Sequence, residues 1–205
     1  TTKTNKGYEC PTYQQNNKEG AGVYMFDANN GELLWWSSVD NNSTPVDSDI
    51  RFTENADLKY SVVSQINTID RNSDGLVDHL YFGDLAGQAF RVDINNAPKL
   101  TGTPTVGDLK NNFVKRVVTL FSEQASSGLS PRFYEMPSVS IHVDPVTGKS
   151  FAAVAYSSGN RSSPLIGTVT AGESTITASA KDGVFVVYDN DVASKNLYDA
   201  TYTPV

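Results

Sequence analysis

The residues in this chain that are best suited to chemistry form one short acidic loop. Residues 70–78 read Asp-Arg-Asn-Ser-Asp-Gly-Leu-Val-Asp, which is the pattern D-x-N-x-D-G-x-x-D. Positions 1, 3, 5 and 9 offer side-chain oxygens and position 7 offers a backbone carbonyl, and hard divalent cations prefer such ligands. The pattern therefore predicts a Ca²⁺ site. The predicted metal ligands are Asp70, Asn72, Asp74, Leu76 and Asp78.

Other details of the loop bear on this prediction. Gly75 occupies position 6, where the chain must turn sharply and a Cβ would obstruct the turn. Asp78, at position 9, is predicted to bind the ion through both carboxylate oxygens. Without an ion the three carboxylates would repel one another, so we expect calcium to order the loop. The alternative is an ordinary surface turn, because Asp, Asn and Gly are common turn residues.

The flanks of the loop differ from those of a helix–loop–helix calcium site. Position 12 is Tyr81 instead of the Glu that an EF-hand carries. Residues 61–69 and 80–82 are rich in Val, Ile, Tyr and Phe, which favour β-structure. The sequence therefore predicts a strand–loop–strand arrangement.

Composition excludes several classes of function. The 205 residues carry a formal net charge of −7 and no cluster of Lys or Arg, which argues against a nucleic-acid-binding face. No apolar run approaches the length of a membrane-spanning helix. The polar stretch 1–20 does not begin as a signal peptide does, so either an export signal has been removed or the sequence is part of a longer protein.

The cysteine and the two histidines leave little scope for other chemistry. Cys10 is the only cysteine, so no disulfide can form within the chain, although Cys10 could pair with a cysteine outside it. One cysteine and two histidines are also too few for a convincing zinc site. Neither His79 nor His142 has a nucleophile elbow or a paired acid beside it, and both are expected to be structural or exposed.

Repeated segments predict the fold class. Residues 23–36, 80–92 and 183–189 each contain an aromatic-bearing strand that ends in Asp before a polar turn, and a fourth apolar strand covers 150–156. Units of this kind cannot bury both faces alone, so stacked blades are expected. The prediction is an all-β chain, with residues 1–205 forming about three or four blades of a larger, modified β-propeller. A β-sandwich is the alternative.

The connections between these strands are long. The polar segments 40–57, 95–112 and 122–137 are predicted to be loops on the rims of the propeller, where functional or mobile loops gather. Residues 165–181 are rich in Thr and Ser and alternate with β-branched residues around a glycine. That segment is predicted to be an inserted two-stranded hairpin.

Taken together, these segments make the chain similar to a known family. Residues 23–28, the acidic loop running into Leu80–Asp93, and residues 158–165 resemble the C-terminal propeller domain of the PilY-type family of type IV pilus tip-associated adhesins. The resemblance covers most of residues 20–190, and residues 70–93 are its specific part. The sequence contains no Arg-Gly-Asp motif, so integrin-type binding through that motif is not implied.

The resemblance implies a role as well as a fold. It implies a calcium-binding propeller on an extracellular protein at the pilus tip or outer cell surface, acting in pilus extension, retraction and adhesion. Its partners would be minor pilins or host and abiotic surfaces, with no nucleic acid bound directly and no membrane span in this segment. The implied calcium ligands are the loop residues already predicted.

Two other classes of protein stay open. One is an integrin-like calcium propeller in which the metal is purely structural and the long loops recognise the ligand. The other is a fragment of a quinoprotein dehydrogenase, a calcium-containing propeller with Trp-bearing repeats, which Trp35 and Trp36 superficially suit. Adjacent strand residues face opposite sides, so at most one of these tryptophans is expected to pack inward. The chain is therefore predicted not to be an enzyme.

The remaining polar motifs are predicted to be structural. Asp47-Ser48-Asp49 and Asp189-Asn190-Asp191 could supply oxygen ligands, but each is a fragment without the rest of a loop, and turn formation or strand-end capping is the expected role. Arg161 is predicted to pair at the edge of a blade, with contact to a partner as its alternative role.

Overall fold

In the part of the chain that the structure describes, the regular secondary structure is almost entirely β, as predicted. A computed structural model describes residues 18–39, 51–71, 73–94, 114–125, 130–159, 161, 168–171, 174–177, 182–194 and 197. These residues form twelve strands and one short 3₁₀ helix, Asp191–Ala193. Among them no helix is long and apolar enough to cross a membrane.

Some sequence predictions fall outside the described residues. These are Cys10 with the polar stretch up to residue 17, Asp47-Ser48-Asp49, Asn72, and the connection 95–112.

The first sheet contains β1 (Val23–Phe26), β2 (Leu33–Ser38) and β3 (Arg51–Glu54) in that order. β1 and β2 form the predicted antiparallel hairpin, and β3 pairs with β2 in parallel. The prediction that residues 40–57 form only a connection is therefore wrong for 51–54. A four-residue strand with the sequence Arg-Phe-Thr-Glu is too short to show a period of its own, and only its pairing with β2 defines it.

The second sheet contains β4 (Asn67–Ile69), β5 (His79–Gly83), β6 (Gln88–Ile94) and β7 (Val114–Ser122), all antiparallel and in chain order. Every residue of β5 and β6 is buried. Strands covered on both faces lack polar alternation, which explains the continuous apolar and aromatic run in this part of the sequence.

The third sheet contains β8 (Ser138–Val143), β9 (Ser150–Ser157) and β12 (Val184–Asp189), in the order β12-β9-β8. β9 and β12 are predicted strands, and among the described residues β12 pairs with the earlier strand β9. The hairpin of this sheet is β8–β9, whose turn at residues 144–148 the sequence analysis missed. Asp-Pro at its start and Gly148, with φ +68°, at its end were the available turn signals.

The two remaining strands form a separate pair. β10 (Thr168–Ala171) and β11 (Ser174–Thr177) are antiparallel in a two-stranded sheet. They lie inside the segment 165–181, for which an inserted hairpin is predicted.

The three larger sheets are layered, with the second sheet between the other two. One hydrophobic core lies between the first and second sheets: Val23, Trp35, Leu58, Leu80, Phe82, Phe90, Val92 and Ile94. The other core lies between the second and third sheets: Tyr81, Ala89, Phe133, Ala152, Val154, Tyr156 and Val192. Alternate residues of β5 therefore enter different cores.

The two tryptophans separate as predicted but are both buried. Trp35 belongs to the core between the first and second sheets. Trp36 faces the other side, where its ring is parallel to that of Tyr24 within 4° and lies 4.3 Å from the ring of Phe52. Aromatic neighbours therefore cover Trp36 on the outer face. Both residues have structural packing roles.

Part of the predicted loop 122–137 is core. Phe133 is fully buried between the second and third sheets, which corrects the prediction that this whole segment lies on a rim. A Cβ on Gly83 would lie 2.7 Å from the Cβ of Phe133, so a glycine in β5 makes room for this ring. Phe133 and Tyr134 are two adjacent aromatic residues in a polar segment and show no period of 2, so the burial of Phe133 escaped prediction.

The turn between β5 and β6 joins all three layers. Oδ1 of Asp84 accepts hydrogen bonds from the backbone N–H groups of Ala86 and Gln88, both at 2.9 Å. The carbonyl of Asp84 accepts from the N–H of Phe133, and the N–H of Leu85 donates to the carbonyl of Ser61. This turn thus connects the segments that lead to the first and third sheets.

The Asp84 carboxyl is completely buried, and burial favours its protonated, uncharged form. Burial raises the pKa of Asp84 to about 7, although hydrogen bonds from Gln88 and Ala86 lower it, and the charge of Asp57 raises it further. With its amide nitrogen turned towards Asp84, Gln88 also donates to Oδ2 at 3.0 Å. Burial of Tyr60 raises the pKa of its hydroxyl, and the nearby carboxyl groups of Asp84 and Asp57 raise it further.

Replacing Gly87 by Ala is expected to destabilise the fold. Gly87 has φ +76°, and an added Cβ would lie 2.7 Å from Cγ of Pro131. Gly31 has φ +74° and open space around it, so Gly31→Ala is the matched control. The left-handed conformation should cost both variants about 1–2 kcal/mol. The clash should cost Gly87→Ala about 1–3 kcal/mol more in urea unfolding. If both variants lose the same free energy of unfolding, the clash with Pro131 is relieved at no cost and the prediction is wrong.

Asp84→Asn should change how stability depends on pH. The unfolded carboxyl titrates near 3.8 and the folded one at about 7, so its contribution is complete below pH 4 and is lost as pH rises through 7. Asn cannot ionise but keeps an acceptor for the two N–H groups. The variant should therefore gain about 2–4 kcal/mol relative to the wild type between pH 4.5 and 8.

The control for this titration is Asp144→Asn in the exposed β8–β9 turn. Hydrogen bonds from Thr147 and Val146 hold the pKa of Asp144 below its usual range, so this variant should show no gain as pH rises. Parallel stability curves for the wild type and Asp84→Asn would contradict the assignment of a neutral Asp84.

Candidate metal centre

The acidic loop connects β4 to β5, which confirms the predicted strand–loop–strand arrangement. The N–H of Asp78 donates to the carbonyl of Ile69, and the carbonyl of Asp78 accepts from the N–H of Ile94, both at 2.8 Å. These bonds continue the ladder of the second sheet to the base of the loop. The most buried layer of the protein therefore anchors the ends of the loop.

The backbone of the loop turns through two left-handed residues. Ser73 has φ +60° and Gly75 has φ +88°. An added Cβ on Gly75 would meet nothing within 4 Å, so the backbone conformation and not lack of space favours glycine there. The sharp turn predicted at position 6 is confirmed.

The carboxylate of Asp70 organises this turn. Oδ1 accepts hydrogen bonds from the N–H groups of Ser73 at 2.6 Å and Asp74 at 3.3 Å, and Oδ2 accepts from Gly75 at 2.8 Å. The chain is thus wound around the carboxylate at position 1. Three backbone donors on one carboxylate also stabilise its charged form.

The middle positions of the loop are more exposed. Oδ1 of Asp74 accepts a hydrogen bond from the N–H of Leu76 at 2.8 Å. The side chain of Leu76 is 51% exposed, so it contributes little to the core. The prediction for Leu76 concerns its backbone carbonyl, which this exposure leaves untested.

Asp78 occupies a different environment from the other acids of the loop. Asp78 is only 4% exposed, and its Oδ2 accepts the backbone N–H of Arg71 at 2.7 Å. A buried carboxylate requires hydrogen bonds or a nearby cation. The last predicted ligand is thus held at the base of the loop, and it also fixes the backbone at position 2.

The donor set of the loop fits a hard cation in its chemistry. Carboxylate and carbonyl oxygens within one closed turn are the ligands that Ca²⁺ takes. In the described part of the loop, as it stands, the acidic side chains do not form a group of three that could hold a metal ion. The three carboxylates accept bonds from the backbone of the loop itself.

Arg71 carries a contact that the loop pattern does not predict. Its side-chain Nη1 donates to the carbonyl of Val192 at 3.2 Å and to the carbonyl of Ser194 at 3.1 Å. These carbonyls belong to the end of the 3₁₀ helix that follows β12 of the third sheet. Position 2 of the pattern accepts any residue, so the sequence held no signal for this contact.

A second cluster of charges lies close by, between the second and third sheets. Arg91 of β6 is fully buried, and its Nη1 donates to both oxygens of Asp189 at 2.7 and 2.6 Å. Its Nε donates to Oδ1 of Asp93 at 2.7 Å, and Nη2 lies 3.7 Å from Asp191. One guanidinium thus joins β6 to the end of β12.

Asp93 is the other centre of this cluster. Burial alone would raise the pKa of Asp93, but hydrogen bonds from His79 and Arg91 outweigh burial and lower it. Nδ1 of His79 lies 2.9 Å from Oδ1 of Asp93, and Nε of Arg116 donates to Oδ2 at 2.7 Å. His79 is therefore buried and structural, as predicted, but the expectation that it has no paired acid is wrong, because Asp93 lies opposite it on β6.

The prediction for Asp189-Asn190-Asp191 is confirmed in part. Oδ1 of Asp189 accepts the N–H groups of Asp191 at 3.1 Å and Val192 at 3.2 Å, so it caps the 3₁₀ turn as expected. Oδ2 also accepts from the hydroxyl of Tyr81 at 3.0 Å. The ion pairs of Asp189 and Asp191 with Arg91 were missed, because no local pattern connects residues 98 positions apart.

A small cavity opens beside the Arg71 contact. Its volume is about 300 Å³, and it lies between β4 and β5 on one side and β8, β9 and the 3₁₀ helix on the other. Nδ2 of Asn67 donates to the carbonyl of Pro137 at 2.9 Å and connects β4 to the start of β8. The lining is mostly apolar and includes Ile69, Tyr81, Ile141, Ala152 and Val192.

The other polar residues singled out by the sequence lie away from the loop. His142 is exposed, with its ring 5.5 Å from Phe151 and its Nε2 2.8 Å from Oγ of Ser140. Arg161 is exposed, pairs with Glu135 and lies over the ring of Tyr134. The structure does not bring either residue to the acidic loop.

Comparison with known proteins finds a similar structure. Neither the protein-family models nor the curated proteins contain a match to the sequence. The crystal structure of the Pseudomonas aeruginosa PilY1 C-terminal domain is similar to this chain, with a TM-score of 0.50 and 18% sequence identity. The similarity covers 94% of this chain but 34% of the PilY1 chain, so the chain spans about a third of that length. At this identity the likeness establishes a shared fold.

Proposed function

We propose that this chain is a calcium-binding, non-enzymatic β-propeller segment of a type IV pilus-associated surface protein. The observation that carries the proposal is the fold shared with the PilY1 C-terminal domain over nearly the whole chain. In this proposal the protein acts outside the cell, at the pilus tip or outer surface, in pilus extension, retraction and adhesion. Its partners are minor pilins or host and abiotic surfaces.

The layering of the sheets supports a place within a larger propeller. The outer sheets carry apolar residues on the faces turned away from the second sheet. Tyr24 and Phe26 are exposed on the first sheet, and Val184, Val186 and Tyr188 are exposed on the third. A strand that faces water alternates apolar and polar residues, whereas β12 is apolar on both faces. Further sheets stacked on these faces would complete the burial.

The conformation of the acidic loop supports the calcium component. The loop is anchored at both ends in the second sheet, makes its sharp turn at Gly75 and is wound around Asp70. Asp70, Asn72, Asp74, the carbonyl of Leu76 and Asp78 would hold the ion. When bound, Ca²⁺ would supply the positive charge that offsets the mutual repulsion of the carboxylates.

The surroundings of the acidic residues favour a non-enzymatic role. His79 contacts the buried carboxylate of Asp93, Arg91 forms a buried ion pair with the same carboxylate, and Trp35 is packed in a core. His142 lies on the surface away from the loop. These side chains hold the layers together. The acidic loop is then a binding element, and binding an ion requires no catalytic side chain.

The calcium component predicts specific losses of affinity. Asp70→Asn and Asp78→Asn each remove one negative charge and keep one side-chain oxygen. At position 70 that oxygen can still accept the N–H groups of Ser73 and Asp74, and at position 78 it can still accept the N–H of Arg71. Each should weaken Ca²⁺ binding at least tenfold in titration calorimetry, because affinity follows the number of charged ligands. Asp144→Asn removes the same charge from an exposed turn of the third sheet and should leave the affinity unchanged.

Undiminished affinity in both loop variants would refute the ligand assignment. Circular dichroism and unfolding in the absence of calcium should accompany the titration. This measurement separates loss of the site from loss of the fold.

A cellular experiment separates regulation from a purely structural metal. The full-length protein carrying Asp70→Asn should still reach the cell surface in wild-type amounts, while pilus extension and retraction lose their response to calcium. Asp144→Asn in the same protein is the control and should respond as the wild type does. If the loop variant is degraded or misfolded instead, the metal is structural, as in the integrin-like alternative.

A further inference from the structure

Arg71 is attached at the same time to the acidic loop and to the third sheet. Its backbone N–H donates to Oδ2 of Asp78, the buried carboxylate predicted as the last calcium ligand. Its side chain donates to the carbonyls of Val192 and Ser194 at the end of the 3₁₀ helix. These partners lie 121 and 123 positions further along the chain. The contact therefore connects elements that only the tertiary fold brings together.

We propose that Arg71 couples ion occupancy of the acidic loop to the end of the third sheet. The inference rests on the calcium binding proposed above and adds how binding is transmitted. A bound ion orders the loop, and the ordered loop holds the backbone of Arg71 in the position from which its guanidinium reaches both carbonyls. Calcium thereby stabilises the 3₁₀ turn that follows β12.

The chemistry of the contact suits a link between segments that are distant in the sequence. A helix end leaves carbonyl groups without intrahelical partners, and Nη1 of Arg71, which carries two N–H donors, serves two such carbonyls at once. Holding a long side chain in one conformation costs rotamer entropy, and the total cost of ordering the residue is smaller when its backbone is already fixed. The hydrogen bond that the N–H of Arg71 donates to Asp78 supplies that fixation. Order in the loop and order in the 3₁₀ turn therefore favour each other.

The far side of the 3₁₀ turn is held independently, which makes the turn a distinct structural unit. Asp189 caps its start and pairs with Arg91 of the second sheet, and Asp191 also lies near that guanidinium. Arg71 holds the other end, beside the cavity between the second and third sheets. Release of Arg71 would leave the turn attached at its start through Arg91 while its end is freed.

Coupling of this kind must act in both directions. If calcium strengthens the contact of Arg71 with the 3₁₀ turn, then loss of that contact must weaken calcium binding by the same factor. Replacing Arg71 should therefore lower calcium affinity moderately, about fivefold or more, without removing any ligand.

The experiment measures amide hydrogen exchange with and without calcium in the wild type and in Arg71→Gln. In the wild type, calcium should slow exchange by at least fivefold at the loop amides of residues 73–75 and at the amides of residues 193 and 194, which lie at the end of the 3₁₀ turn. In Arg71→Gln, calcium should still protect residues 73–75 but should change exchange at residues 193 and 194 by less than twofold. Arg161→Gln removes an exposed arginine elsewhere and should behave as the wild type.

The outcomes distinguish this inference from the proposed function. Calcium binding with full protection of residues 193 and 194 in Arg71→Gln would overturn the coupling alone. Absence of calcium binding by the wild type in calorimetry would overturn both. If Arg71→Gln does not fold, Arg71→Lys keeps the charge, but its nitrogen lies one bond closer to the backbone than Nη1 of arginine and should not reach both carbonyls. Its calcium-dependent protection at residues 193 and 194 should fall at least threefold, and an unchanged response would equally refute the coupling.

Discussion

Burial of the second sheet on both faces is the constraint on which the rest of the structure depends. β5 and β6 have no solvent-facing side, so every polar side chain on them must find its partner inside the protein. Arg91, Asp93 and His79 meet this requirement by pairing with one another and with Asp189 of β12. The charged cluster therefore joins the second and third sheets. If these two sheets packed in a different register, buried charges would be left unpaired.

The second sheet also fixes the position of the acidic loop. Its ends continue the hydrogen-bond ladder of β4 and β5, its last acid is buried at the base, and its second residue reaches the third sheet. The loop is thus mounted on the most buried layer. The side chain of Arg71 connects the loop directly to the end of the third sheet.

Much of the fold and part of the site could be predicted from local patterns. The hairpins β1–β2 and β5–β6, the strand β9 and the strand–loop–strand flanks of the acidic loop follow from alternation, aromatic content and turn residues. The parallel partner β3, the burial of Phe133 and the ion pairs of Arg91 could not be predicted, because each depends on a contact between distant segments. Gly83 and Phe133 illustrate this, since their fit is visible only when the layers are stacked.

The sequence by itself determined the all-β class, the position of the acidic loop, the turn at Gly75 and the oxygen-rich character of the loop side chains, because residue type and spacing act over a few neighbouring positions. Only the tertiary structure decided that Asp78 is buried, that Asp189 and Asp191 serve Arg91, and that Arg71 extends from the loop to the third sheet. Such contacts arise from the stacking of layers, and no local pattern encodes which distant backbone carbonyl or carboxylate a side chain will meet.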